Sequence, residues 1–304
     1  VNWAYGRRSE AIKKYAPDDM EIDTCSAKET PWGDIGKYDL IYQLEYCAPI
    51  PRKFRGRGFN GAWIVAFNSS PGRKDERWHP VLRHADYVIL NNESSWDYFG
   101  REDRTCCVSN GVDSSVFKHK TPIEDRPNRV LWCGSSSKGK NYHTIVKPLR
   151  DIAESNGFET GFRPIDEITE DLMTGDEMCD WYNSGRYILC TSDLEATPNT
   201  ILEGMACGCI PVSSRTGNLL EFGEDGKSCL FAEKTSGSFM EKLNVARDGL
   251  SHFSEHSMSA IKSWSYGEPG NRAEYFYHLF RRILRDGIRT IPPFTYSEKH
   301  WSEI

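Results

Sequence analysis

The chain has 304 residues, 38% hydrophobic and 27% charged, with a formal net charge of −6. That length exceeds one ordinary core and suits two domains, and the composition is that of a globular protein. The acidic balance argues against a general nucleic-acid coat, and no apolar run approaches the roughly 20 residues that a membrane helix needs.

The amino end, VNWAYGRR, has no signal-peptide pattern. Residues 9–15 predict a helix closed by Ala16-Pro17. Residues 39–45 (DLIYQLE), 63–68 (WIVAFN) and 87–91 (YVILN) predict strands, and 93–99 a short helix. A further strand is expected over 105–109, followed by a turn at Asn110-Gly111-Val112-Asp113. The stretch 118–127 lacks periodicity and carries two prolines, so it reads as an interdomain linker.

The pattern then restarts. Strands are expected at 129–133, 161–165, 186–191, 210–213 and 228–231. Helices are expected from Asn141 to about residue 154, at 176–183, at 198–207 and at 269–285. Alternating strands and helices signify parallel α/β architecture. The expectation is two Rossmann-like, doubly wound domains facing across a cleft, the first of them reduced, with ligands at the carboxyl ends of the strands.

Ten cysteines include no Cys-x-x-Cys pair, so they do not outline a metal site. Most lie in strand-like runs and read as small buried hydrophobes with free thiols. That points to a reducing, cytoplasmic setting. The basic run Arg52-Lys53-Phe54-Arg55-Gly56-Arg57 is a solvated loop or a seat for an anionic acceptor.

The most informative segment is 191–230, TSDLEATPNTILEGMACGCIPVSSRTGNLLEFGEDGKSCL. Thr197 is a good N-cap, Pro198 suits the first helical position, and Gly208 suits a left-handed cap at the far end. The amides of Asn199 and Thr200 then face outward at a positive helix end, where a diphosphate fits. Glu195 stands just before this helix and Glu203 lies one to two turns inside it. Carboxylates only accept hydrogen bonds, which suits sugar hydroxyls.

The setting S-x-x-E-A-T-P-N-T-x-L-E-G-M-A-C-G-x-x-P-V resembles the signature of family 4 glycosyltransferases of the GT-B fold. Val108-Ser109-Asn110-Gly111-Val112-Asp113, Gly134 with Lys138-Gly139-Lys140, and Thr216-Gly217 with Glu221 and Asp225-Gly226 resemble further family segments. The likeness is specific over about residues 105–235 and weak over the first hundred. It implies a hexosyl transfer from a nucleoside-diphosphate sugar, UDP- or GDP-linked, with retention, without metal and without a further cofactor. Glu195 then serves the reacting sugar, catalytically, and Glu203 holds the ribose. Thr197, Asn199 and Thr200 meet the sugar and phosphates. Gly134 and Ser135 open the phosphate-side loop, with Ser135 where the family has arginine. Lys140, or else Lys138, supplies the cation.

The implied division is an acceptor-side domain at 1–118, a linker at 119–127, a nucleotide-sugar domain at 128–262 and a helical segment at 263–304 that crosses back. The family's middle-strand histidine is absent, and Asn68 or Ser69 takes its place. Glu45, ending a strand, is another cleft candidate. Residues 2–8 read as the remnant of a glycine-rich loop. The partners implied are a nucleotide sugar and an acceptor glycan or lipid-linked sugar, with peripheral membrane contact and oligomeric state open. Two other readings stand beside this one: a sugar-nucleotide-binding relative without catalysis, and a transferase acting on nucleic acid through 52–57.

Overall fold

The computed structural model describes residues 4–26, 29, 33–44, 58–68, 82, 84–166, 173–267, 270–287 and 294–295. Glu45, Ser69 and the basic run 52–57 lie outside them. The chain divides into two compact units, one of Gly111–Asn271 with Val1–Ala4, the other of Tyr5–Asn110 with Arg272–Ile304.

The second of these units opens with α1 (Ala4–Lys14). Residues 5–8 are therefore helical, where the sequence reading had a loop remnant. Strands β1 (Leu40–Gln43), β2 (Ala62–Phe67) and β3 (Tyr87–Leu90) follow, then α2 (Glu93–Tyr98) and β4 (Thr105–Cys107). Helix α2 starts where expected because the Asn92 side chain accepts from Ser95 N–H. β2 and β3 are buried along their whole lengths, as parallel strands covered on both faces should be. The strands run parallel in the order β1-β2-β3-β4, and Phe294–Thr295 adds a parallel edge beside β4.

In the other unit, β5 (Arg129–Gly134) precedes α3 (Lys147–Ser155), β6 (Glu159–Pro164), α4 (Gly175–Asn183) and β7 (Tyr187–Cys190). Then come α5 (Asn199–Ala206), β8 (Ile210–Ser213), α6 (Leu219–Phe222), β9 (Leu230–Phe231), α7 (Ser236–Asp248) and α8 (Leu250–Lys262). Helix α9 (Arg272–Asp286) belongs to the unit of α1, and Tyr277 donates its hydroxyl hydrogen to Ile12 O there. The sheet order is β6-β5-β7-β8-β9, all parallel. The chain thus winds one way from β5 to β6 and the other way from β5 to β7.

The stretch expected as a linker is packed structure. Arg126 is fully buried and donates to Thr121 O at 2.7 and 2.9 Å, Gly185 O at 3.1 Å, Asn183 Oδ1 at 3.1 Å and Cys207 O at 2.6 Å. A guanidinium offers five donors in a rigid fork, and here the fork ties residues 121–126 to the carboxyl ends of α4 and α5. Low periodicity reported a wrapped segment rather than a free one.

Asn141 was expected as a helix cap. It instead adopts a left-handed conformation (φ 56°), and the chain makes a π-helical turn over Tyr142–Val146 before α3 begins. At the end of α5, Cys209 N–H bonds Gly204 O and Gly208 N–H bonds Met205 O, with Gly208 at φ 86°. That is the Schellman arrangement the glycine implied. The described cysteines are free, and most are buried as expected. No described helix is long and apolar enough to cross a membrane.

Candidate active site

The reversal of winding in the β5–β9 sheet lies between β5 and β7. These strands pair at Val130–Tyr187 and Leu131–Ile188 and both run on beyond those pairs. Their carboxyl ends deliver two loops, 135–141 and 191–198, to the place where open α/β sheets take ligands.

The two loops are stitched together. Asp193 N–H donates to Gly139 O at 2.9 Å, and Thr191 Oγ1 donates to Lys140 O at 2.6 Å. The Asn141 amide donates to Thr191 O and to Asp193 Oδ1, each at 2.9 Å. These contacts set the height of Lys140, whose ammonium forms an ion pair with Glu195 Oε1. Ser192 Oγ donates to the same oxygen at 2.6 Å, and Glu195 N–H donates to Thr216 Oγ1 at 2.8 Å. Oε2 of Glu195 accepts nothing from the described residues. Glu195 is only 15% exposed and Lys140 35%, so the pair sits at a half-dry mouth where charge acts more strongly than in bulk water.

Beside it, Asp193 also meets Lys234 Nζ at 3.2 Å. The Asn141 amide, followed by Lys234, holds the Asp193 carboxyl below the usual carboxylate range against the opposing effect of burial. Lys138 stands exposed in the single 3-10 turn Lys138–Lys140. Lys140, of the two, is the lysine the fold brings to Glu195.

Pro198, expected inside the helix, occupies the cap position at φ −76° and ψ 80°, with Asn199 N–H bonded to Thr197 O at 2.9 Å. Those angles make an inverse γ-turn. The Asn199 amide is thereby committed, which corrects the expectation that it faces a phosphate. The Thr197 hydroxyl caps nothing. It is buried without a partner among the described residues, as are both amide atoms of Asn218, a residue with no exposure. Asn218 N–H bonds Ala196 O, so residues 196–197 and 218 are packed side by side. Two buried unsatisfied side chains at one place require explanation by water or ligand.

Glu203, on the second turn of α5, is buried and accepts from the hydroxyl of Tyr182 on α4 at 2.8 Å. Gly134 ends β5 where an added Cβ would lie 3.1 Å from the Trp132 ring, so packing alone already asks for glycine. Ser135 and Ser137 share a hydrogen bond at 2.8 Å, and Ser136 is tied through N–H and Oγ to Asp166. The phosphate-side loop is therefore fixed by hydroxyls where an arginine was missed. In the other unit, Asn68 donates to Leu44 O and accepts from Arg8 and Asn91.

Sequence reasoning named Glu195 and Lys140 without seeing that they pair. It did not name Ser192, Asn141 or Asn218 as site residues. Ser192 stands three residues before Glu195 in the same loop, near enough for its hydroxyl to reach that carboxylate. Asn141 was noticed, but for the wrong task.

Residues 125–246 match the family model of glycosyl transferases group 1. Among solved structures, sucrose-phosphate synthase from Thermosynechococcus elongatus aligns at TM-score 0.63 and 15% identity, over 82% of this chain and 75% of that one. HepE from Anabaena, in complex with UDP and glucose, aligns at 0.65 and 14%, over 82% and 79%. The fold is GT-B. A pneumococcal O-GlcNAc transferase, GtfA, solved with UDP and GlcNAc, aligns at 0.59 and 12%, over 81% and 57%. No curated protein sequence matches the chain. The GT-B resemblance read from residues 105–235 is thus borne out, and the structural likeness extends it into the first hundred residues, where the sequence showed little.

Proposed function

We propose that the chain is a glycosyltransferase that takes a hexosyl group from a nucleoside-diphosphate sugar. The carrying observation is the Lys140–Glu195 pair at the switch point of the β5–β9 sheet, inside the stretch that matches glycosyl transferases group 1. Lys140 takes the diphosphate oxygens and offsets the charge that grows on the leaving group. Glu195 turns its Oε2 to hydroxyls of the transferred sugar, and Glu203, held by Tyr182, takes the ribose. UDP is favoured over GDP because HepE and GtfA were solved with UDP. Retention of configuration, no metal and no additional cofactor complete the proposal, with a glycan or lipid-linked sugar as acceptor.

A thermal-shift panel of nucleotides and nucleotide sugars tests the reading. A donor at 100 times its dissociation constant should stabilise the chain by about 2.7 kcal/mol. Glu195→Gln should keep most of that shift and lose roughly 100-fold or more in nucleotide release during turnover. A panel in which no nucleotide moves the melt would sink the proposal.

A further inference from the structure

Two of the buried arginines among the described residues, Arg126 and Arg8, are of different kinds. Arg126 has its fork filled by carbonyl oxygens and an amide, the bonds that close two helix ends. Arg8, on α1 in the other unit, is as deeply buried at 4% exposure, but its fork is not filled. Its Nη1 donates to Asn68 Oδ1 at 3.1 Å and its Nη2 to the Tyr42 hydroxyl. Its Nε–H has no acceptor among the described residues. No described carboxylate pairs with it. The rings of Tyr42 and Phe276, with centroids 5.4 and 5.1 Å away, are its remaining company. Aromatic faces return only part of the cost of burying a charge. Removing a guanidinium from water without a counter-anion is a standing penalty.

The position of Arg8 gives the penalty a use. Its contacts lie along the carboxyl edge of the β1–β4 sheet. Leu44 follows β1, Asn68 follows β2 and Asn91 follows β3, and the three are linked through Asn68: its Nδ2 donates to Leu44 O, and its Oδ1 accepts from Asn91. Oδ1 of Asn91, a residue with no exposure, is again without a partner among the described residues. Tyr42 and Asn68, the two groups that bond Arg8, are partly exposed, so a ligand entering beside them meets the guanidinium. This edge is where a parallel sheet presents its loops to ligands.

We propose that Arg8 is the receptor for an oxyanion carried by the acceptor, a carboxylate or phosphate group held by the guanidinium fork with the Tyr42 hydroxyl beside it, while Asn91 Oδ1 accepts from a hydroxyl of the same molecule. The proposal rests on the transferase reading above, because it assigns this edge to the acceptor. It narrows the acceptor from any glycan to one bearing an acid.

The test is calorimetric titration of the full chain with glucuronate, glucose 6-phosphate and neutral glucose, and separately with UDP. Expected is binding of at least one of the two anions at least 10-fold tighter than glucose, and which anion binds identifies its source as a sugar acid or a sugar phosphate. Arg8→Met should reduce that binding by 10-fold or more and leave UDP affinity unchanged. Asn68→Asp gives a second route if Arg8→Met misfolds: it places a counter-charge against Arg8 without changing size, and should weaken the anion to a similar degree. Anions that bind no better than glucose, or bind both variants as well as the parent, overturn the proposal. The UDP arm reports on the donor reading by itself, so the two ideas fail separately.

Discussion

The two sheets are built from the same kind of strand and differ in winding. In the β5–β9 sheet the chain reverses between β5 and β7, so the connections after those strands leave toward opposite sides, and the two loops meet at the switch point and are bonded to each other there. In the other sheet β1 to β4 follow one another in chain order, and the described strands contain no reversal. The first sheet gathers a charged pair, Lys140 with Glu195, in its crevice. The second gathers amides, a phenol and one guanidinium along its edge. Topology decides where charge can be opposed at close range. Where no crevice is supplied by winding, a buried cation is left for something else to meet.

The sharpest test of that contrast lies in Arg126 and Arg8, and it carries the largest expected effect. Arg126→Met strands the buried carbonyls of Gly185 and Cys207 and leaves the half-buried carbonyl of Thr121 and Oδ1 of Asn183 without this donor. At about 1–3 kcal/mol for each buried group left unsatisfied, the loss should reach roughly 3–5 kcal/mol in urea denaturation. Arg8→Met removes a buried charge that has no counter-ion and replaces it with an apolar chain of similar length. Such exchanges are often neutral or stabilising, so its midpoint should hold or rise. Equal and large losses for both would make Arg8 a structural residue like Arg126, and the difference between the sheets would shrink to winding alone.

Much of this was legible beforehand. Continuous apolar runs such as WIVAF and YVIL admit little but buried parallel strands, and β2 and β3 lie where those runs do. Gly208 was readable because a left-handed cap has few other solutions. The donor segment was readable because Glu195, Pro198 and Glu203 recur at fixed spacing along one strand–helix turn. What stayed hidden depends on contacts distant in sequence. Arg126 sits in a stretch without periodicity, yet it binds residues 57 and 81 positions away, Asn183 and Cys207. Arg8 meets Asn68 across 60 positions. The γ-turn at Pro198 was missed for a local reason. Proline fixes φ but leaves ψ open, and a ψ of 80° moved the helix start by one residue and used the amide of Asn199.

The stitch at the switch point offers the next test. Asn141 combines a left-handed backbone with two side-chain bonds to the β7 loop. Asn141→Gly keeps the backbone and loses the two bonds, about 1–3 kcal/mol in total. Asn141→Ala loses the same bonds and must also hold a Cβ at positive φ, at a further cost of about 1 kcal/mol. Urea midpoints should therefore fall in the order parent, glycine, alanine. Identical midpoints for glycine and alanine would mean that the loop abandons its left-handed residue once the bonds are gone, and that the crevice is shaped by the side chain alone.

The smallest effect concerns protons, and it separates the two sheets once more. Asp193 is held below the ordinary carboxylate range, first by the Asn141 amide and then by Lys234. A carboxyl whose folded value lies below its unfolded value adds stability that is complete above the unfolded value, and that is lost as pH falls through the folded one. Ordinary aspartate titrates near about 3.9, so protection of the Asp193 amide, which bonds Gly139 O, should be constant from pH 8 down to about 5 and decline only under more acid conditions. Asn141→Gly removes the first cause of the depression and should move that decline to higher pH. At the edge of the β1–β4 sheet the groups around Arg8 are Tyr42, Asn68 and Asn91, and none of them changes charge in this window. Amide protection there should show no matching step. A step of equal size at both edges would assign the acid sensitivity to general loosening of the chain, and would remove Asp193 from the description of what keeps Lys140 in place.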